Sequence, residues 1–156
     1  MEINVLFDAD FEKSINEAWL RSVATVALTA EHQADVEMGI LITGQEKVQR
    51  LNKKYLGEDE PTDVLSFAMG DSDEDGTPDF VFPEGDALHL GEVIISYPQA
   101  QKQAHEHKHS TRQEVAILLI HGVLHLLGYD HDEPERQHKM QAKEKAILKL
   151  VAEELN

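Results

Sequence analysis

Thr111 to His131 reads TRQEVAILLIHGVLHLLGYDH, and this stretch decides the fold. Within it His121, His125, Gly128 and His131 make the pattern H-x-x-x-H-x-x-G-x-x-H. Four residues apart on a helix, His121 and His125 share one face, with Cβ atoms roughly 5–6 Å apart. The helix itself is well specified. Ser110 and Thr111 are both good N-cap residues, with Gln113 and Glu114 respectively three positions on, so either register gives a capping box. Val115–Leu127 is almost wholly apolar, which predicts a buried helix rather than an amphipathic one. Gly128 suits the left-handed position that follows a helix end. The chain can then turn through Tyr129 and Asp130 and bring His131 to a third corner of one metal ion.

Three His ligands leave a fourth position for water, which is the coordination of a catalytic zinc rather than a structural one. Such an ion is a Lewis acid and lowers the pKa of its water to about 7. The plainer alternative is two core histidines and one loop histidine. Two imidazoles on an apolar helix would then need other polar partners, and the return through Gly128 would need another reason. Ligand count and spacing favour one Zn2+ per chain. The spacing resembles the metzincin pattern H-E-x-x-H-x-x-G-x-x-H, except that Gly122 stands where a zinc peptidase carries its general base. No clear Met-turn follows, since Met140 lies in a charged, helical-looking stretch. The layout is protease-like, but the usual protease chemistry lacks a part.

At 156 residues the chain suits one domain, 1–156, with a substantial core. It has no cysteine, which excludes a disulfide framework and a thiolate metal site. The N-terminal MEINVLFDADFEK lacks the basic and long apolar segments of a signal peptide, and no run is long enough for a typical membrane span. A soluble, cytoplasmic protein is the simplest expectation. Thirty acidic against fourteen basic residues give a formal charge of −16. That counts against general, sequence-independent nucleic-acid binding, which needs cationic surface to displace counterions. An RNA substrate would have to meet a local basic patch, the metal, or a partner that delivers it.

The rest of the chain alternates strands and helices. Glu2–Phe7 reads as a strand. Phe11, Ile15, Ala18, Trp19, Val23 and Val26 recur at helical spacing, which predicts a helix from near Phe11 to about Ala30, capped by Asp8 or Asp10. Val36–Thr43 alternates as a second strand. Gln45–Leu56 reads as a short helix with Val48, Leu51 and Tyr55 inward. Its other face carries Lys47, Arg50 and Lys54, with Lys53 nearby; a solvated face is favoured over a phosphate-tracking one. Val64–Ala68 is a third strand. The acidic segment 70–86 starts like a calcium loop, but Phe82 replaces the bidentate Glu, so an EF-hand is rejected. A hairpin-like excursion, with room for weak cation binding, is expected instead. Leu88–Ser96 is a fourth strand, with a helix from Pro98 to about His105. His105, His107 and His109 alternate in HEHKHS; a solvated linker is favoured over a second metal site, with a locally cationic His105–Arg112 as a further alternative. Asp132 can cap a last helix whose core face is Met140, Ile147, Leu148 and Val151. The sum is an α+β (mixed α/β) fold, with about five helices packed on a four-stranded sheet around the buried metal-binding helix.

HGVLHLLGYDH closely resembles the signature of the YbeY family of bacterial endoribonucleases. Leu51-Asn52 and Tyr55, then Pro61-Thr62-Asp63-Val64-Leu65-Ser66-Phe67, resemble that family's second block, and Leu90-Gly91-Glu92-Val93-Ile94-Ile95-Ser96 is similar to a third. Order and spacing match over nearly the whole chain. The resemblance implies a zinc-binding fold with a mixed four-stranded sheet and a metzincin-like layout. It also implies cleavage of single-stranded RNA, maturation of the 16S rRNA 3′ end and ribosome quality control. His121, His125 and His131 would be the ligands and the catalytic centre. One position departs: after the Tyr of the second block the family usually carries an Arg, and here stands Leu56. Lys53, Lys54 or Arg112 would then have to contact RNA in its place, or substrate handling differs. Asp130 and Asp132, flanking the third histidine, would orient the rings or cap the turn. Ribosomal proteins with basic surfaces suit so acidic a chain. Two other readings remain at this point: a zinc peptidase or other metal hydrolase, and a non-catalytic ribosome-assembly factor with a structural zinc.

Overall fold

A computed structural model describes residues 1–68 and 88–155. The excursion expected at 70–86 lies outside the described residues. Four strands, β1 (Glu2–Phe7), β2 (Val36–Thr43), β3 (Val64–Ala68) and β4 (Leu88–Ser96), form one sheet in the order β1-β2-β4-β3. β1 and β4 both run parallel to β2, while β3 runs antiparallel to β4 at the edge. The sheet is therefore mixed, as expected. Five α-helices accompany it among the described residues: α1 (Glu17–Ala30), α2 (Gln45–Leu56), α3 (Tyr97–His107), α4 (Thr111–Leu126) and α5 (Pro134–Leu155).

The period-two patterns sort residues between two layers. Met38, Ile40 and Ile42 of β2, with Val93 and Ile95 of β4, face the main core built by α1, α4 and α5. Leu65 and Ile94 point the other way and meet Val48 of α2. α4 is buried over most of its length between sheet and helices, as its continuous apolar run predicts.

Two expectations need correction. α1 starts at Glu17, six residues after Phe11. Ala9–Phe11 is a separate 3-10 turn, and Asn16 is the true cap, its Oδ1 accepting from Trp19 N at 2.8 Å. Phe11 and Ile15 still pack on the core, so their helical spacing came from burial without helix. The second correction concerns α2. Tyr55 is 58% exposed and does not face inward, whereas Asn52 is buried. The Asn52 amide donates to Glu60 O at 2.9 Å and ties the following loop to the helix. That bond needs a buried polar group where the pattern suggested only an apolar stripe.

β4 carries a bulge that matters for the site. Its pairing with β2 shifts register between Glu37 and Met38, and Gly91 follows with φ +135°. A Cβ there would lie 2.1 Å from Phe67 O, so only glycine allows β3 and β4 to pair this closely. β3 is thereby held beside α4.

Candidate metal centre

The local chemistry of α4 positions two histidines and its end positions the third. Ser110 is the N-cap, its hydroxyl accepting from Gln113 N at 3.1 Å, which selects one of the two registers open to the sequence. At the other end Tyr129 N donates to Leu124 O and Gly128 N to His125 O, both at 3.0 Å, with Gly128 at φ +98°. This is a Schellman motif, the left-handed glycine stop that the sequence suggests. The reversal carries His131 back toward the helix. Asp130 Oδ1 accepts from His131 N at 2.7 Å, and Asp132 pairs with Arg136 at 3.6 Å. Both aspartates thus serve the turn and the start of α5.

His121, His125 and His131 converge. One nitrogen from each lies within 4.8 Å of the others. His121 Nε2 and His125 Nε2 are 3.1 Å apart, and the ring centroids of the three pairs are 4.6, 5.2 and 5.9 Å apart. His121 Nδ1 donates to Glu144 Oε1 of α5 at 2.6 Å, which leaves its Nε2 as a bare acceptor aimed at His125. At 3.1 Å the His125 nitrogen meets it either by donating a proton or, when both nitrogens are bare, across a shared cation. A carboxylate behind an imidazole is also the usual support of a metal-binding histidine. Burial, then the neighbouring His121 and His131, hold the His125 pKa below its ordinary value, so its neutral, ligating form persists to lower pH. This donor set could hold one borderline ion such as Zn2+. Glu144 was not anticipated: it lies 23 positions beyond His121, on another helix, and no local spacing announces it.

Gly122 acquires a second meaning. A Cβ on it would lie 2.6 Å from Val93 Cγ1 and 3.2 Å from Ser66 Oγ. Ser66 Oγ itself donates to Gly122 O at 3.3 Å. The residue that removes a general base is also one that lies directly against the sheet. A glutamate at 122 would meet the Val93 side chain already at its Cβ.

The three histidines border a cleft of about 730 Å³, walled on one side by Thr62, Asp63 and Ser66 and on the other by the Gly128–His131 turn. Leu56 stands at its lip, 57% exposed and unable to donate to a phosphate. Lys53 and Lys54 are exposed on the last turn of α2 beside it; Lys53 pairs loosely with Asp59 at 3.7 Å, and Lys54 Nζ lies 5.1 Å from the Tyr55 ring centre. Lys47, part of the same basic stripe, pairs with Asp8 at 3.5 Å. Arg112 is elsewhere. It stacks over Trp19 at 4.6 Å near the start of α4, about 13 Å along the helix from His121.

His107 and His109 also come together, but with Glu114 rather than His105. The solvated linker expected there is only partly so: His109 packs inward and Glu114 is 2% exposed. Burial pushes the Glu114 carboxyl up, yet hydrogen bonds from His109, His107 and Gln103 outweigh it and leave it below the ordinary carboxylate range.

No helix among the described residues is long and apolar enough to cross a membrane. The sequence model of the family described as Endoribonuclease YbeY matches residues 4–152. An Endoribonuclease YbeY of Dehalococcoides mccartyi is 46% identical to this chain, over 98% of this chain and 91% of its own. That of Roseiflexus castenholzii is 46% identical over 82% of this chain and 78% of its own. The solution structure of TM1509 from Thermotoga maritima superposes with a TM-score of 0.60 at 25% identity, covering 96% of this chain and 88% of that one. Sequence and fold agree over nearly the full length: this chain belongs to the endoribonuclease YbeY family.

Proposed function

We propose that this chain is a metal-dependent endoribonuclease of the cytoplasm that cuts single-stranded RNA, with the 3′ end of precursor 16S rRNA as its target. His121, His125 and His131 hold one Zn2+ per chain and form the catalytic centre. When bound, the ion polarises a phosphate oxygen and lowers the pKa of a water molecule to about 7. The observation that carries the reading is the convergence of three imidazoles on the floor of an open cleft, in a chain whose relatives are named endoribonucleases.

The protein's own groups set the geometry. Glu144 accepts from His121 Nδ1 and keeps the opposite nitrogen turned to the cleft. The Gly128 turn aims His131, and the Asp130 carboxylate fixes its backbone. With glycine at 122, α4 supplies no base. Asp63 in the cleft wall has both oxygens engaged, accepting from Val64 N at 2.8 Å and Gln103 Nε2 at 3.2 Å. Lys53 and Lys54, flanking the lip, meet the phosphates next to the one cut. The place of Arg112 over Trp19 supports packing, so Lys53 and Lys54 are the better candidates for the role of the family's Arg at the Leu56 position. A net charge of −16 favours delivery by a ribosomal subunit or by basic ribosomal proteins over free binding to RNA.

The test is a cleavage assay on single-stranded RNA, structured RNA and denatured casein, run beside metal analysis of the same preparation. Cleavage of single-stranded RNA, lost in His125→Ala together with the metal, is expected. Casein cleavage with intact RNA would overturn the reading. End-group analysis separates the attacking groups, because a 2′,3′-cyclic phosphate identifies the substrate 2′-hydroxyl and excludes direct attack by water.

A further inference from the structure

We propose that His107, His109 and Glu114 form a second divalent-cation site, suited to Zn2+, at the junction of α3 and α4. One ligand atom from each lies within 4.8 Å of the others. Glu114 Oε1 faces both rings, with His107 Nδ1 at 3.2 Å and His109 Nε2 in close contact. Two imidazoles and a carboxylate are a zinc-type donor set, and a water completes four-coordination from the open side.

Three features argue for a built site. First, the carboxylate is buried, and burying a charge demands compensation by charge or hydrogen bonds from every side. Its second oxygen accepts from Gln103 Nε2 at 3.0 Å, so the ligand is fixed from behind. Second, His107 is a half-exposed side chain free to point into solvent, yet its Nδ1 turns inward to the same oxygen as His109. Third, the residue between them, Lys108, adopts φ +59°, a left-handed conformation uncommon outside glycine. That twist lets two residues spaced by one present their rings to a common point, 5.5 Å between centroids.

The site is distinct from the three-histidine centre. Glu114 lies two turns before His121 on α4, about 10 Å away along the axis, too far to share a ligand. It is connected, however: Gln103 donates to Asp63 in the cleft wall as well as to Glu114. An ion here pins the α3–α4 junction and, through Gln103, steadies that wall. This inference does not depend on the proposed nuclease activity.

The experiment titrates tag-free, metal-stripped protein with Zn2+ against a chromophoric chelator and counts tightly held ions. Wild type is expected to hold two. His107→Ala and His125→Ala are each expected to hold one, with circular dichroism unchanged. In the His125→Ala protein, zinc should shift the imidazole 15N resonances of His107 and His109, and Glu114→Gln, which keeps the shape but loses the charge, should weaken that binding at least tenfold. A count in wild type that His107→Ala leaves unchanged overturns the proposal. Loss of the ion in His107→Ala but not in His125→Ala would uphold this site and refute the three-histidine one; the reverse would refute this site alone.

Discussion

The sharpest consequence of the helix–sheet contact is that Gly122→Ala should destabilise the protein. In an ordinary helix interior, alanine is favoured over glycine by about 1 kcal/mol. Here the new methyl would sit 2.6 Å and 2.9 Å from the two γ-carbons of Val93. Val93 is fully buried in β4, between β2 and β3, and a β-branched side chain has little rotamer freedom with which to yield. Overpacking of this kind costs about 1–3 kcal/mol, so the net loss is on the order of 1 kcal/mol once the propensity gain is subtracted. Thermal unfolding followed at 222 nm should report a fall in Tm of roughly 2–4 °C. Val93→Ala in the same background removes both clashing carbons. The double variant should therefore lose less than the sum of the two single losses, by the overpacking term of about 1–3 kcal/mol. If Gly122→Ala raises Tm, or if the two losses simply add, the close approach does not control this position.

Four further outcomes follow. Glu144→Gln should keep the fold but weaken zinc binding about 10–100-fold by competition titration, because His121 loses its carboxylate support. Acidifying the metal-free protein should cost stability as pH falls below about 6.5: the folded His125 pKa is lowered, so the unfolded chain takes up that proton first. His125→Ala should flatten this part of the pH profile of urea unfolding. Glu114 acts in the same direction at lower pH, since its lowered carboxyl pKa lends stability that is present above about 4.5 and lost as pH falls further; Glu114→Gln should remove the dependence. Replacing Lys53 and Lys54 together by Ala should raise KM for single-stranded RNA and flatten its salt dependence, whereas Arg112→Ala should act on Tm through its contact with Trp19.

Much of this architecture can be read from the chain because period and punctuation coincide. β2 alternates cleanly and stops at Gly44; α4 has a cap, an apolar body and a left-handed stop in the right places. The start of α1 misleads because Phe11 and Ile15, partly buried, pack on the core at helical spacing without being helical, and the cap that decides the boundary, Asn16, lies within that spacing. Tyr55 misleads for the opposite reason: it sits on the expected stripe, but it meets Phe67 edge-to-face at 5.3 Å between ring centres and stays 58% exposed. The three histidines are close together in sequence and therefore visible. Glu144, Glu114 and the contact of Gly122 with Val93 depend on which helix lies against which, and that information is in no single window of residues.

The shortness of the Gly128 turn has a consequence for metal uptake. Because all three imidazoles belong to one continuous segment, the unfolded polypeptide already carries them in tandem and can chelate before the sheet has formed. An ion that binds both the folded and the unfolded states stabilises the former only by the difference in affinity. Zinc should therefore raise the melting point of this protein by less than its tightness of binding to the native state would suggest, and chelators should silence the centre well before they unravel the chain.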